Sequence, residues 1–199
     1  VSFLKSKKMR DQMRDIILKL REQLAAPRFV VAFHHSLEDK YLRTHGASID
    51  HLTGHRHFAT WLTDNGIDYV DISGSAERMI DFYSKVDFHV GYRVHAHILM
   101  TSLAKKSILL AEDGRGIALK DVLGNGVIDA IEKINMSKVS KALAHFTSYD
   151  RFHPSPFLND EIIGVVRNEI ANGFVRSHTS AACAQRLWPL MVNFTKQLP

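Results

Sequence analysis

Apolar positions in the first thirty residues recur at helical spacing. Met9, Met13, Ile16, Ile17, Leu20 and Leu24 share one face, with charged residues between them. Pro27 ends the pattern, and residues 29–33 follow as a continuous apolar run. A run without alternation fits a strand covered on both faces, as in parallel sheets. A polar stretch over 37–48 reads as loop. Ile49, Leu52, Phe58, Ala59, Trp61 and Leu62 then restore a broad helical face, closed by Asn65-Gly66 with the glycine placed as a C-terminal cap. Residues 67–72 form the next short strand. Ser73-Gly74-Ser75 is a turn suited to capping a helix whose first turn holds Glu77. Met79, Ile80, Tyr83 and Val86 continue that helix as a stripe.

The same alternation carries on with a strand over 88–90, a helix over 94–105 and a strand over 107–111. Strands and helices joined by short connections are the pattern of a parallel sheet with right-handed crossovers. The expected fold is therefore α/β, a Rossmann-like parallel sheet flanked by helices. Beyond Gly116 the strand signal fades. Residues 118–123 and 127–134 read as short helices separated by Gly124-Asn125-Gly126, and 136–147, 160–172 and 177–196 read as helices too. The last is expected to kink at Pro189. His153-Pro154-Ser155-Pro156 has the composition of a linker. The simplest division is a Rossmann-like domain over 1–135, leading helix included, and a helical C-terminal extension over 136–199.

Composition narrows the classes. A hydrophobic share of 45% with 24% charged residues is that of a globular chain with a proper core. No apolar run approaches the roughly 18 residues that would span a bilayer. No secretory segment is evident, which points to the cytoplasm or the inner face of its membrane. Much of the formal charge of +5 sits early, in Lys5, Lys7, Lys8, Arg10, Arg14, Lys19 and Arg21. These read as a solvated helix face, with attraction to an anionic membrane surface as the alternative. Aromatic and basic residues are not interleaved, so no nucleic-acid partner is expected. The lone Cys183, among alanines, suits a packed helix in a reducing compartment.

Twelve histidines invite a metal hypothesis. His51 and His55 have helical i, i+4 spacing but lack the intervening Glu of a zinc protease helix. His95 and His97 would diverge by about 200° on a helix. No supporting acid or cysteine stands nearby, so no metal is expected. Gly-x-Gly-x-x-Gly, Walker-type and Gly-x-Ser-x-Gly motifs are absent, and no cofactor is expected. A Ser/His/Asp set such as Ser36, His95 and Asp113 can be assembled, but no nucleophile elbow supports it.

The segment 87–116 holds the most specific chemistry. Gly91 is a turn of little bulk, and Arg93 and His95 fall at the start of the following helix. Unpaired backbone N–H groups beside an arginine and a histidine favour an anion. Arg93 can contact a carboxylate or phosphate with two parallel bonds, and His95 can move a proton near neutral pH. The other reading pairs Arg93 with an acid such as Asp87 and makes His95 a cap of its own helix. Gly114-Arg115-Gly116 is a short glycine loop that could cradle phosphate. His34 and His35 lie at the C-terminal end of the strand at 29–33, the edge where open α/β sheets bind ligands.

Residues 75–124 resemble the C-terminal half of the polysaccharide pyruvyl transferase family. The resemblance rests on Ala76-Glu77-Arg78-Met79-Ile80, then Asp87-Phe88-His89-Val90-Gly91-Tyr92-Arg93-Val94-His95, then Ile98-Leu99-Met100 and Ser107-Ile108-Leu109-Leu110. It implies one lobe of a two-lobed, GT-B-like fold, with the other lobe preceding Val1. It also implies transfer of a pyruvyl group from phosphoenolpyruvate to a sugar of a bacterial surface polysaccharide. Arg93 and His95 match the family's Arg-x-His, which would hold the donor anion and supply a proton. Arg115 stands where the family often has a lysine, and His34 and His35 would line the same cleft. The partners implied are an anionic donor and a sugar or glycan acceptor. Two other readings stay open: a GT-B-type nucleotide-sugar glycosyltransferase, and a non-catalytic binding domain or fragment without its second lobe.

Overall fold

The computed structural model of the chain describes residues 7–24, 26–46, 49–133, 152–153 and 158–196. They fall into two units, Val1–Met79 with Glu132–Asn159, and Ile80–Ile131 with Asp160–Pro199. Each unit carries its own open parallel sheet flanked by helices, so the fold is α/β as expected, with the parallel strands divided between two sheets.

In the first unit, α1 (Lys7–Leu24) buries Met9, Ile16, Ile17 and Leu20 on the face that the periodicity marks. Three of its cations have partners within this unit. Arg14 pairs with Asp11 at 3.7 Å and lies over the Trp61 ring, Lys19 pairs with Asp15 at 3.0 Å, and Arg21 donates to the Asn65 carbonyl at 2.6 Å. β1 (Val30–Phe33) runs parallel to β2 (Asp68–Asp71), with Val30 opposite Asp68 and Phe33 opposite Asp71. Of β1 only Phe33 is fully buried, because a two-stranded sheet covers less than the continuous apolar run suggests. The polar stretch holds a short helix, α2 (Asp39–Thr44), too brief to show periodicity; Asp39 forms an ion pair with Arg56.

The helix α3 (Ile49–Asp64) ends as the sequence predicts. Gly66 takes φ +60°, its N–H donates to the Thr63 carbonyl at 2.9 Å, and the Ile67 N–H donates to the Leu62 carbonyl at 2.9 Å. This pair of bonds satisfies carbonyls that a helix end otherwise leaves orphaned. It also folds Ile67 back onto Leu62, inside a core shared with Ile17, Phe33 and Phe58. Leu62 has no solvent exposure, so truncating it to alanine would cost about 2–5 kcal/mol. A small antiparallel pair completes this unit, β6 (Glu132–Lys133) with β7 (Phe152–His153). The expected helix at 136–147 and the Pro154–Pro156 part of the expected linker lie outside the described residues.

The chain passes into the second unit within α4 (Ala76–Ser84), where Ser75 Oγ accepts the Arg78 N–H at 3.2 Å as a cap. There β3 (Phe88–Gly91), α5 (Val94–Ser102), β4 (Lys106–Ala111), α6 (Gly114–Leu123) and β5 (Val127–Asp129) follow one another. The sheet order is β3-β4-β5, all parallel, and central β4 buries Ile108, Leu109, Leu110 and Ala111. β5 corrects the helix expected over 127–134. Val127 and Ile128 are buried opposite Leu109 and Leu110. Three residues cannot display a period, and only their β-branched character carries a strand signal.

The expected C-terminal helices are α7 (Leu158–Ala171) and α8 (Val175–Thr195), with Pro189 inside the latter. Buried Glu169 of α7 caps the start of α8: its carboxylate accepts from the Arg176 N–H at 3.0 Å and the Ser177 N–H at 3.1 Å. Phe174 makes the corner at φ +62°, a left-handed conformation offset by packing on Phe88 and under the Lys106 ammonium. The capped helix then meets the sheet. Ser177 Oγ accepts the Ser107 N–H at 3.3 Å, and Ser180 Oγ accepts the Gly126 N–H at 3.1 Å. A Cβ at Gly126 would stand 2.6 Å from Ser180 Oγ, so only glycine permits this approach. No helix among the described residues is long and apolar enough to cross a membrane.

Candidate functional site

Loops after the strands of a parallel sheet gather at its C-terminal edge, where ligands of α/β folds bind. In the second unit these loops are 91–93 after β3 and 112–113 after β4. Gly91 closes β3, and Arg93 takes the N-cap position of α5 with extended backbone, φ −92° and ψ 110°. Its carbonyl accepts the His97 N–H at 3.1 Å, the first bond of the helix. No side chain caps the N–H groups of this first turn, so they remain positive and directed outward.

The Arg93 side chain is half-buried. Burial depresses its pKa and Glu112 pulls it back up, with Arg115, Tyr83 and Asp113 also acting on it. The acid expected to pair with it, Asp87, is exposed and not among these neighbours. Among the described residues the guanidinium makes no ion pair within 4 Å. Glu112 mirrors this state: burial raises its carboxyl, while Arg93 and Arg115 oppose the rise. Charges are thus brought close without being locked together.

His95, in the first turn of α5, is exposed, while His97 two residues on has no exposure at all, the divergence expected of a helix. Arg115 is placed differently from its expected loop. Residues 114–116 are the first turn of α6, and Asp113 is its cap, accepting the Arg115 and Gly116 N–H groups at 2.9 and 3.2 Å. The Arg115 guanidinium donates to the other oxygen of Asp113 from Nε at 3.1 Å and Nη2 at 2.7 Å. These hydrogen bonds hold the Asp113 carboxyl below its usual range. The N–H groups that could have cradled phosphate are therefore already taken by a carboxylate. Arg115 itself is exposed, and surface pairs of this kind exchange readily.

His34 and His35 stand after β1, at the C-terminal end of the first unit's sheet, as expected. Asp71, ending β2, organises this edge: its oxygens accept the Leu37 N–H at 2.9 Å and the Ser73 N–H at 2.8 Å. Burial raises its carboxyl, but bonds from Ser73, Leu37 and Ser36 outweigh that and lower it. Ser36 Oγ accepts the Glu38 N–H at 3.0 Å, a structural use. The His35 carbonyl lies 3.3 Å from His55 Nε2, and the His51 and His55 rings stand 5.2 Å apart. No group of three His, Cys, Asp or Glu side chains among the described residues is arranged to hold a metal ion.

Sequence reasoning misses three participants of the second unit. Glu112 directly follows the apolar run of β4, a position at the strand end that could have flagged it. Tyr83 is expected only as part of a core stripe, yet it acts electrostatically on Arg93. The third is a buried relay between α5 and the sheet. His89 and Ser107 face each other in the β3–β4 register. Ser107 Oγ lies 2.9 Å from His89 Nδ1 and 2.8 Å from His97 Nδ1. Burial lowers the His97 pKa to about 4, so this imidazole is neutral at pH 7. Strand pairing alone reveals the relay. No family model, curated protein or solved structure matches this sequence.

Proposed function

We propose that the chain belongs to a transferase that binds a phosphoenolpyruvate-like donor at Arg93 and His95. Its pyruvyl group would pass to a sugar in the assembly of a surface polysaccharide. One observation carries the site: a half-buried arginine without an ion pair among the described residues stands beside an uncapped helix start. Withdrawing a cation from water is costly unless an anion compensates. A ligand with carboxylate and phosphate groups supplies that anion and also takes up the N–H groups of α5. The kind of transfer rests on the resemblance of residues 75–124 to pyruvyl transferases.

The chemistry suits these residues. A proton delivered to the methylene carbon of the enol makes the neighbouring carbon electrophilic, and a sugar hydroxyl adds to it. Phosphate then departs with its bridging oxygen, and a second hydroxyl of the same sugar closes the ketal. The two hydroxyl protons lost balance the one gained by carbon and the one taken by phosphate. In this reading exposed His95 would deliver the proton, and Arg93 would stabilise charge on the departing phosphate. Arg115 can exchange Asp113 for the released anion. A donor of this kind is a cytoplasmic metabolite, which puts the reaction on the cytoplasmic side.

Calorimetric titration with phosphoenolpyruvate, followed by assay of phosphate release with pyruvylatable glycans, tests the reading. Donor binding that disappears in Arg93→Ala supports it. Binding of a nucleoside diphosphate in place of phosphoenolpyruvate would shift the assignment to a glycosyltransferase. Binding of neither anion would leave only a non-catalytic domain.

A further inference from the structure

The first half of α8 packs by one stripe. Ser177, Ser180 and Ala181 are buried, and the two serines hold the N–H groups of Ser107 and Gly126. The stripe continues through half-buried Ala184 to Trp188, one turn further on, yet Trp188 is 61% exposed. From Gln185 to Leu190 every residue but Leu187 is exposed, so this part of the helix is largely uncovered. It is also apolar on all sides. Residues 187–192 are apolar without a break, and Leu190, 64% exposed, points about 200° away from Trp188. A helix segment apolar all round is ordinarily buried.

The surroundings are basic. No Asp or Glu occurs after Glu169, and exposed Arg186 and Lys196 bracket the apolar run. Arg186 Nη2 donates to Cys183 Sγ at 3.2 Å, and neither cation pairs with a carboxylate among the described residues. In α1, by contrast, Arg14 and Lys19 meet acids of their own helix. These properties select the partner. A protein groove covers one face of a helix and would leave Trp188 or Leu190 in water. A second copy of α8 would set cation against cation, with no acid on either helix to meet them. The headgroup zone of a bilayer surrounds what enters it, accepts tryptophan and, when anionic, attracts arginine and lysine. Six helical residues are about 9 Å long, far too short to span but close to the roughly 5–10 Å that an interfacial segment reaches.

We propose that the end of α8 is a membrane-surface anchor: residues 187–192 enter the headgroup zone of an anionic bilayer, Trp188 and Leu190 meeting lipid and Arg186 and Lys196 meeting its phosphates. The anchor is independent of the reading of the Arg93 site and holds or falls without it.

Co-sedimentation of the full chain with vesicles measures the partition, one arm mixing phosphatidylglycerol with phosphatidylcholine and the other holding phosphatidylcholine alone. Binding to the mixed vesicles that weakens with added salt, and is much weaker on the neutral ones, is the expected result. Trp188→Ser and Leu190→Ser, neutral changes at exposed positions, should each lower the partition about tenfold with the thermal midpoint unchanged. Arg186→Ala should lower it about fivefold, on the mixed vesicles only. Tryptophan emission should shift to the blue on the mixed vesicles, and the shift should vanish in Trp188→Phe, which keeps Trp61 as an internal control. No binding, equal binding to both vesicle types, or binding that both serine variants retain overturns the proposal. Sedimentation equilibrium without lipid supplies the remaining arm: a dimer that both serine variants dissociate would give this surface to a second copy and overturn it too.

Discussion

The C-terminal strand ends of the two units spend their charges in opposite ways. In the first unit Asp71 is saturated: backbone N–H groups of Leu37 and Ser73 take its oxygens, and its acidity is that of a carboxylate in structural use. In the second unit Arg93 and Glu112 are half-buried, and each is pushed by burial away from its charged form. Saturated polar groups stabilise a turn, and held-apart charges keep their capacity for a ligand. The difference is the reason the anion site is proposed at the second edge.

Acidification should part the units most strongly. The His97 pKa falls from 6.5 to about 4 on folding, so the unfolded chain binds more protons between those values. Its contribution is complete above pH 6.5 and is lost as pH falls toward 4, on the order of 3 kcal/mol. Asp71 works in a lower window, being lost only as pH falls through a value below 3.8. Hydrogen exchange at pH 7 and pH 4.5 should show β3–β5 loosening before β1–β2. Glu112, raised by burial, acts in the opposite sense, so His97→Asn is the control that isolates the histidine. Equal loosening in both units would break the comparison.

Arg93→Ala comes next. It should weaken phosphoenolpyruvate binding about 30-fold, roughly 2 kcal/mol, without lowering the thermal midpoint. A fall in midpoint instead would make Arg93 a structural residue like Asp71. Asp71→Ala is the mirror experiment: denaturant titration should show a loss of about 1 kcal/mol, since orphaned N–H groups remain, with anion affinity unchanged. Arg115→Ala should do least. Its exposed pair with Asp113 predicts no resolvable change in the midpoint and a smaller loss of affinity than Arg93→Ala.

Long periodic segments are legible in the amino-acid sequence itself. The face of α1, the Gly66 closure of α3, the Ser75 cap of α4 and the alternation from β1 to β4 all follow from local chemistry. Arg93 and His95 are legible too, because a glycine turn ahead of a helix start is a local signal. What escapes depends on pairing. β5 is three residues long, and its identity comes from Leu109 and Leu110 beside it. Arg115 reads as a cation in a glycine loop, whereas the fold makes Asp113 the cap of that helix and the partner of the cation. His89, Ser107 and His97 lie on three elements, and nothing in their spacing says that one hydroxyl stands between two rings.

The ring of His89 fills the volume where a side chain at position 91 would stand. The two positions therefore behave in inheritance as one. A change from glycine at 91 is felt first as a rotated imidazole, and a smaller residue at 89 is what would make it tolerable. A selection starting from Gly91→Ala should return second-site changes at 89 that restore folding.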